Sequence, residues 1–306
     1  MNEGYSELFV ERERQGGVVV EQVLRPIYQE RASFPETLGV ILVEKRRKGD
    51  PVTDTFDAIL LIITADEEIP IFTKHYTDGH EKAAMHVISE KQLKKWLLLG
   101  SQRKVVDWLF YGRVYFDRNE FVENLRRELQ EYPFYGRKMK MGLELSKLVR
   151  GYIEGKTFFE QGNYMDAYHH VVKSLHHLAR LAVIENGLFP EVTVWSQVKK
   201  IDPSIYKLYE ELITSEEPLE KRLELLFLAS EFFIHHRTAD GARHMMDVLA
   251  TKELWTIQEL HEHEETRMYS IDLEVYIEFL IDKGFIKVVQ SESKNELIFH
   301  RDYRVE

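Results

Sequence analysis

The sequence predicts an α/β domain over residues 1–133, an all-helical bundle domain over 134–240 and a small winged unit over 241–306. Three observations carry that order. Two apolar runs, Gly39–Val43 and Ala58–Ile63, are rich in Val, Ile and Leu and bounded by Gly, Pro and charged residues, the mark of neighbouring buried strands. From Met139 to Asn186 the apolar residues instead recur every three or four positions, as along one face of a helix. From Ala242 onward the pattern runs helix, helix, helix and hairpin, the order of a winged helix-turn-helix.

Composition bounds what the chain can do. At 306 residues it is long enough for two or three domains with separate cores. Apolar content of 44% and charged content of 30% are those of an ordinary globular protein. No apolar run approaches the roughly 18 residues of a membrane span, and no leader is visible, so the expectation is a cytoplasmic protein with no membrane partner. The absence of cysteine excludes disulfides and thiolate metal sites and fits a reducing compartment. A net charge of −11 argues against a broadly basic nucleic-acid surface.

A helix is expected from Val18 to Glu30, interrupted or ended at Pro26. Its Arg25 and Arg31 could face a phosphate, although arginines on an amphipathic helix are commonly just surface. Between the two apolar runs lies the charged loop Glu44–Phe56. Its Lys45, Arg46, Arg47 and Lys48 read either as a clamp for a nucleotide or RNA phosphate or as a solvated hairpin. The second run is introduced by Asp57, so a carboxylate stands at the mouth of a central strand. An acidic turn at Asp66–Glu68, an extended piece at Ile69–Tyr76 and a strand at Ala83–Ile88 follow. Ser89 and Gln92 form a capping-box pattern that opens a helix to Leu99, closed by Gly100. A helix at Arg103–Phe110, the strand within Gly112–Asn119 and a helix at Glu120–Gln130 complete the domain, with Asp117 placed to cap that last helix.

Helices at Met139–Phe159 and Tyr164–Asn186 open the second domain, joined at Gly162-Asn163. Helices near Trp195–Lys200, Pro203–Ile213 and Pro218–His236 complete the bundle. His169-His170 and His176-His177 are seven residues apart, too far for two ligands of one metal, so half-buried or interface histidines are expected. The winged unit is read as helices at Ala242–Leu249, Thr256–Glu264 and Ser270–Lys283, then strands at Phe285–Ser291 and Glu296–His300. Its third helix carries Asp272, Glu274, Glu278 and Asp282 against Lys283 alone, which argues against DNA and for protein contacts or dimerisation.

The motifs LRPIYQERA, FDAILLII and GRVYFDRN, together with the two paired strands, resemble the nucleotidyltransferase superfamily, and the resemblance spreads over all three parts of the chain. It implies a nucleotidyltransferase-like mixed sheet and a helical domain of the aminoglycoside-nucleotidyltransferase or HEPN type. Such helical domains commonly pair, so a homodimer through the helical or winged part is implied as well. The family's chemistry uses Mg²⁺ and a nucleoside triphosphate, held by a Gly-Ser turn after the first strand and an Asp-x-Asp on the second. Here Glu44 stands near the Gly-Ser and Ile59 stands in the second Asp position. Side chains alternate along a strand, so Asp57 and Ile59 share a face and only Asp57 can hold a metal. The strand expected to supply a third carboxylate offers His86 and no acid. Arg237 and His244 have the Arg-x6-His spacing of HEPN ribonucleases, but Thr-Ala-Asp-Gly-Ala between them reads as an interhelical turn.

The first reading is therefore a degenerate nucleotidyltransferase, a pseudoenzyme that binds a nucleotide or another anionic partner. Two alternatives stay open. One is an active Mg²⁺-dependent transferase with a rearranged set, Asp57 with Asp54 or Glu44. The other is a DNA-binding regulator working through the winged part.

Overall fold

The computed structural model describes residues 24–45, 51–99, 102, 104–131, 134–292 and 299–306, and the chain divides into two compact units at residue 131. No helix among the described residues is long and apolar enough to cross a membrane.

The first unit is built on a five-stranded mixed sheet in the order β3-β4-β2-β1-β5. The strands are β1 (Thr37–Glu44), β2 (Ala58–Thr64), β3 (Phe72–Thr77), β4 (Lys82–Ser89) and β5 (Arg113–Asp117). β2 lies in the centre, antiparallel to β1 and parallel to β4, and all seven of its residues are buried. A strand covered on both faces has no solvent side to alternate with, which is why β2 reads as an unbroken apolar run. One face takes Leu24 and Tyr28 of α1, a helix that covers residues 24–32, against Val40, Leu42, Leu60 and Ile62. Pro26 lies within helical residues rather than at a break, and the expected start at Val18 falls outside the described residues.

The opposite face is covered by α2 (Glu90–Leu99), α3 (Lys104–Tyr111) and α4 (Phe121–Glu131), which pack on β1, β2 and β4. α2 is capped as its sequence suggests: the Gln92 N–H donates to Ser89 Oγ at 3.2 Å. Gly39 lets α4 sit close, since a Cβ there would lie 2.4 Å from the Val122 side chain.

In the second unit α5 (Phe134–Glu160) and α6 (Tyr164–Glu185) pack along each other, joined by a turn in which Gly162 takes φ +76°. α7 (Val194–Ile201), α8 (Pro203–Thr214) and α9 (Leu219–Leu249) follow. The long α9 corrects the sequence reading, which ended one helix at His236 and began another at Ala242. The chain stays helical through Thr-Ala-Asp-Gly-Ala. Gly241 is there for packing, not for a turn: its missing Cβ leaves room for Leu145 of α5, which would approach it to 2.4 Å.

The C-terminal part comprises α10 (Ile257–Glu262), a 3₁₀ segment (Thr266–Asp272), α11 (Leu273–Asp282) and the antiparallel pair β6 (Ile286–Glu292) and β7 (Phe299–Val305). Two boundaries differ from expectation. α11 begins at Leu273 because Ser270 leaves helical geometry, with φ 54° and ψ −128°. β7 shares Phe299 and His300 with the expected Glu296–His300, whose first three residues fall outside the described residues, and it runs on to Val305, where Tyr303 is buried and exchanges backbone hydrogen bonds with Trp255 at 2.9 and 2.8 Å. The expected Ser-Lys-Asn turn falls outside the described residues.

Candidate functional site

The mouth of the central strand is where the sequence placed its chemistry, and the strand pairing continues one residue beyond β2. The Asp57 N–H donates to the Lys82 carbonyl at 2.7 Å, and the Lys45 N–H donates to the Asp57 carbonyl at 2.8 Å. Asp57 is thereby fixed between the end of β1 and the start of β4. Both of its side-chain oxygens are engaged. Lys45 Nζ lies 3.3 Å from Oδ1, and the Lys82 backbone N–H donates to Oδ2 at 3.0 Å. Two residues along, Ile59 is 2% exposed, and its register partner on β4 is Ala84. Glu44 ends β1 opposite Ala58.

Two acids that sequence reasoning missed complete this rim. Asp78 and Glu81 lie on the turn from β3 into β4, and Glu81 directly precedes β4 much as Asp57 directly precedes β2. Burial pushes the Glu81 carboxyl above its ordinary value, and the negative charges of Asp57, Asp78 and Glu44 push it further. Its Oε2 is buried with no hydrogen-bond partner among the described residues. Asp78 is held low by the backbone N–H groups of Glu81 and His80, which donate to Oδ1. An acid just before each of two parallel strands was the signal available in the sequence.

The remaining candidates are dispersed. Asp54, at φ 55°, is paired with Lys104, whereas Asp57 is paired with Lys45. Arg46, Arg47 and Lys48 lie outside the described residues. Arg25 is exposed, and the Arg31 guanidinium lies over the rings of Phe34 and Phe72 at 5.5 and 5.8 Å. Asp117 takes a structural role as the cap of α4, accepting from the Val122 N–H at 2.8 Å and the Glu123 N–H at 3.2 Å. Arg118 beside it donates instead to the carbonyls of Thr37 and Phe34. His86 stacks on Trp108 at 5.4 Å and is held below its ordinary value, first by burial.

The histidine pairs of α6 go to separate carboxylates: His170 to Glu154 at 3.0 Å and His177 to Glu144 at 2.8 Å. Arg237 and His244 lie on the one helix α9, yet they serve different partners. Arg237 reaches Glu185 and Asp202, while His244 is buried between Tyr269 and Glu265. On α11, Glu274 pairs with His261 and Glu278 with Arg301.

A divalent cation of the Mg²⁺ type needs several carboxylate or water oxygens around it. The rim offers Asp57 with an ammonium already on one oxygen, Glu81 with a carboxyl pushed toward its neutral form, an aliphatic side chain at 59 and a methyl group at 84. Among the described residues no group of three or more His, Asp or Glu is arranged to hold a metal. This donor set does not fit the metal centre that the resemblance implies.

Residues 20–137 match a family model described as nucleotidyltransferase-like, residues 138–237 one described as a YgxA-like substrate binding domain, and residues 243–305 one described as a helix-turn-helix domain. The uncharacterized protein YgxA of Bacillus subtilis (strain 168) is 50% identical over 284 residues, covering 93% of this chain and 97% of that protein. The crystal structure of a nucleotidyltransferase-like protein from Exiguobacterium sibiricum 255-15 is similar at a TM-score of 0.77 and 38% identity. That match covers 94% of this chain and 99% of the other.

Proposed function

The chain belongs to the YgxA family of nucleotidyltransferase-like proteins, and from that membership we propose that its first unit binds a nucleotide or another anionic partner without efficient nucleotidyl transfer. One observation carries this reading: Lys45 places its ammonium on Asp57, with Ile59 filling the position of the second acid. A phosphate here must draw Lys45 away from Asp57 against the like charges of Asp78 and Glu81, so Lys45 and the basic residues that follow it in sequence carry the binding. A transferase needs that region to hold metal-bridged phosphate oxygens instead.

The test is a melting series with ATP, with and without Mg²⁺, followed by a labelled-ATP transfer assay. The expected result is a melting shift that does not require Mg²⁺ and is reduced in Lys45→Gln, with no transferred label. Transfer that disappears in Asp57→Asn would refute the reading. It would favour the second reading, an active enzyme, which the Coulombic coupling of the Glu81 carboxyl to Asp57 supports. The winged part is read as a protein-contact module because Glu274 and Glu278 on α11 would face DNA phosphates with like charge. Salt-sensitive binding to duplex DNA that Arg301→Ala weakens would argue for the regulator instead.

A further inference from the structure

A second candidate site lies wholly within the second unit. α5, the end of α6 and the middle of α9 enclose an open cleft of about 610 Å³. Its lining carries four cations, Arg137, Lys138, Arg237 and Arg243, against two carboxylates, Glu185 and Asp240. With Asp202 on Arg237 and Asp247 on Lys138 counted as well, cations and carboxylates balance at four each, so the cleft is rich in ion pairs and not net positive. The opposing acids are already matched within the wall: Arg237 Nε to Glu185 at 3.0 Å and Arg243 Nη2 to Asp240 at 2.7 Å. Lys138 is tied to Asp247 at 2.7 Å. A guanidinium has five N–H donors in a fixed fork, so one ion pair leaves Arg243 with donors for a second anion.

The cleft also has an aromatic wall. Phe232 is 59% exposed, an unusual state for a phenyl ring, and its centroid lies 4.0 Å from the His236 ring. The Phe233 ring lies under the Arg237 guanidinium at 5.4 Å. A flat apolar face beside guanidinium groups with spare N–H donors suits a ligand that is planar at one end and anionic at the other. The volume is that of a small-molecule cleft.

We propose that this cleft binds a small organic phosphate with a planar ring, the phosphate against Arg137 and Arg243 and the ring against Phe232 and His236. The site goes beyond the sheet-edge reading, since no residue of the first unit belongs to it. The phosphate is assigned to the Arg243 side because Arg243 is paired with one half-exposed carboxylate, Asp240, whereas Arg237 is bridged to both Glu185 and Asp202.

Titration calorimetry on the full chain tests this with three probes in Mg²⁺-free buffer: adenosine 5′-monophosphate, inorganic phosphate and adenosine. The nucleotide should bind at least about tenfold more tightly than either half alone, a difference of about 1.4 kcal/mol. Arg243→Gln and Phe232→Ala each should weaken nucleotide binding about tenfold, from a lost charge-assisted hydrogen bond and a lost stacking face. Both side chains are exposed, so both variants should melt with the wild type; Arg137→Gln is the replacement for either that does not. Lys45→Gln should leave this binding unchanged. No binding of the nucleotide, equal binding of phosphate or adenosine, or binding lost in Lys45→Gln but kept in Arg243→Gln would each overturn the assignment.

Discussion

Lys140 is the sharpest test of how the second unit is held together. It lies on α5, is 3% exposed, and has its ammonium nitrogen 4.5 Å from the Phe189 ring centroid. Burial pushes its amine down from 10.5 to about 7, the charge of Arg180 pushes the same way, and Glu144 opposes both. The unfolded chain therefore holds a proton that the folded chain lacks between pH 7 and 10.5. Stability must rise with pH across that window at about 1.4 kcal/mol per pH unit, and level off on either side. The whole window of about 3.5 pH units is a ceiling of about 5 kcal/mol on the cost of keeping this amine buried at pH 6. Lys140→Met keeps the length and the Phe189 contact and removes the proton. The variant should be more stable than the wild type at pH 6, and its advantage should shrink by about 2–3 kcal/mol on going from pH 7 to pH 9. Urea unfolding of both proteins followed by tryptophan emission reads this difference, which cancels every other group titrating in the range. Parallel stability curves, or a Lys140 ammonium that titrates near 10.5 by lysine-selective NMR, would refute the reasoning.

Three further substitutions follow from the same packing. Glu144 is buried between Arg180 and His177, each at 2.8 Å, and burial alone would raise its carboxyl but those partners hold it low. Glu144→Ala strands a buried guanidinium and should cost about 3–5 kcal/mol, read as a lower midpoint in urea. Asp117→Ala removes the side-chain acceptors of two backbone N–H groups at the start of α4 and should cost about 1 kcal/mol, with Asp117→Asn recovering most of it in a thermal melt. Gly241→Ala drives a methyl group into Leu145 and should cost about 1–3 kcal/mol in the same melt, although alanine is the better helix former.

What could be read in advance followed the strength of local periodicity. β1 and β2 were legible because a strand buried on both faces leaves an uninterrupted apolar run, and Asp57 stood out as the charge at its edge. α9 was not, because a glycine among polar residues looks the same in sequence whether it ends a helix or makes room for Leu145. β7 was set by a partner 48 residues away, the Trp255–Tyr303 exchange, which no local window contains. Glu81 was passed over because one acid after an Asp-Gly turn is ordinary until the parallel register brings it beside Asp57. The basic cleft drew on three helices, with Arg137 and Arg243 more than a hundred residues apart in the chain. Arg237 was noticed only through a spacing to His244 that the side-chain partners do not share.

The apolar residue at position 59 is bound up with the sheet's own stability. β2 presents Ala58, Leu60 and Ile62 to the core under α1, so Ile59, Leu61 and Ile63 must face the layer of α2, α3 and α4. Asp57 points to that same face, one step outside it, where its carboxylate is 34% exposed and can be held by Lys45 and a backbone N–H. Position 59 is the first place on that face where water is excluded. A carboxylate there would need either a cation or hydrogen-bond donors to offset several kcal/mol of desolvation, and the register partner Ala84 supplies neither. Packing and chemistry therefore make opposite demands on one side chain, and Ile59 satisfies the packing demand. At the rim itself stand the charges of Lys45, Asp57 and Glu81, with Ile59 packed two residues further into the sheet.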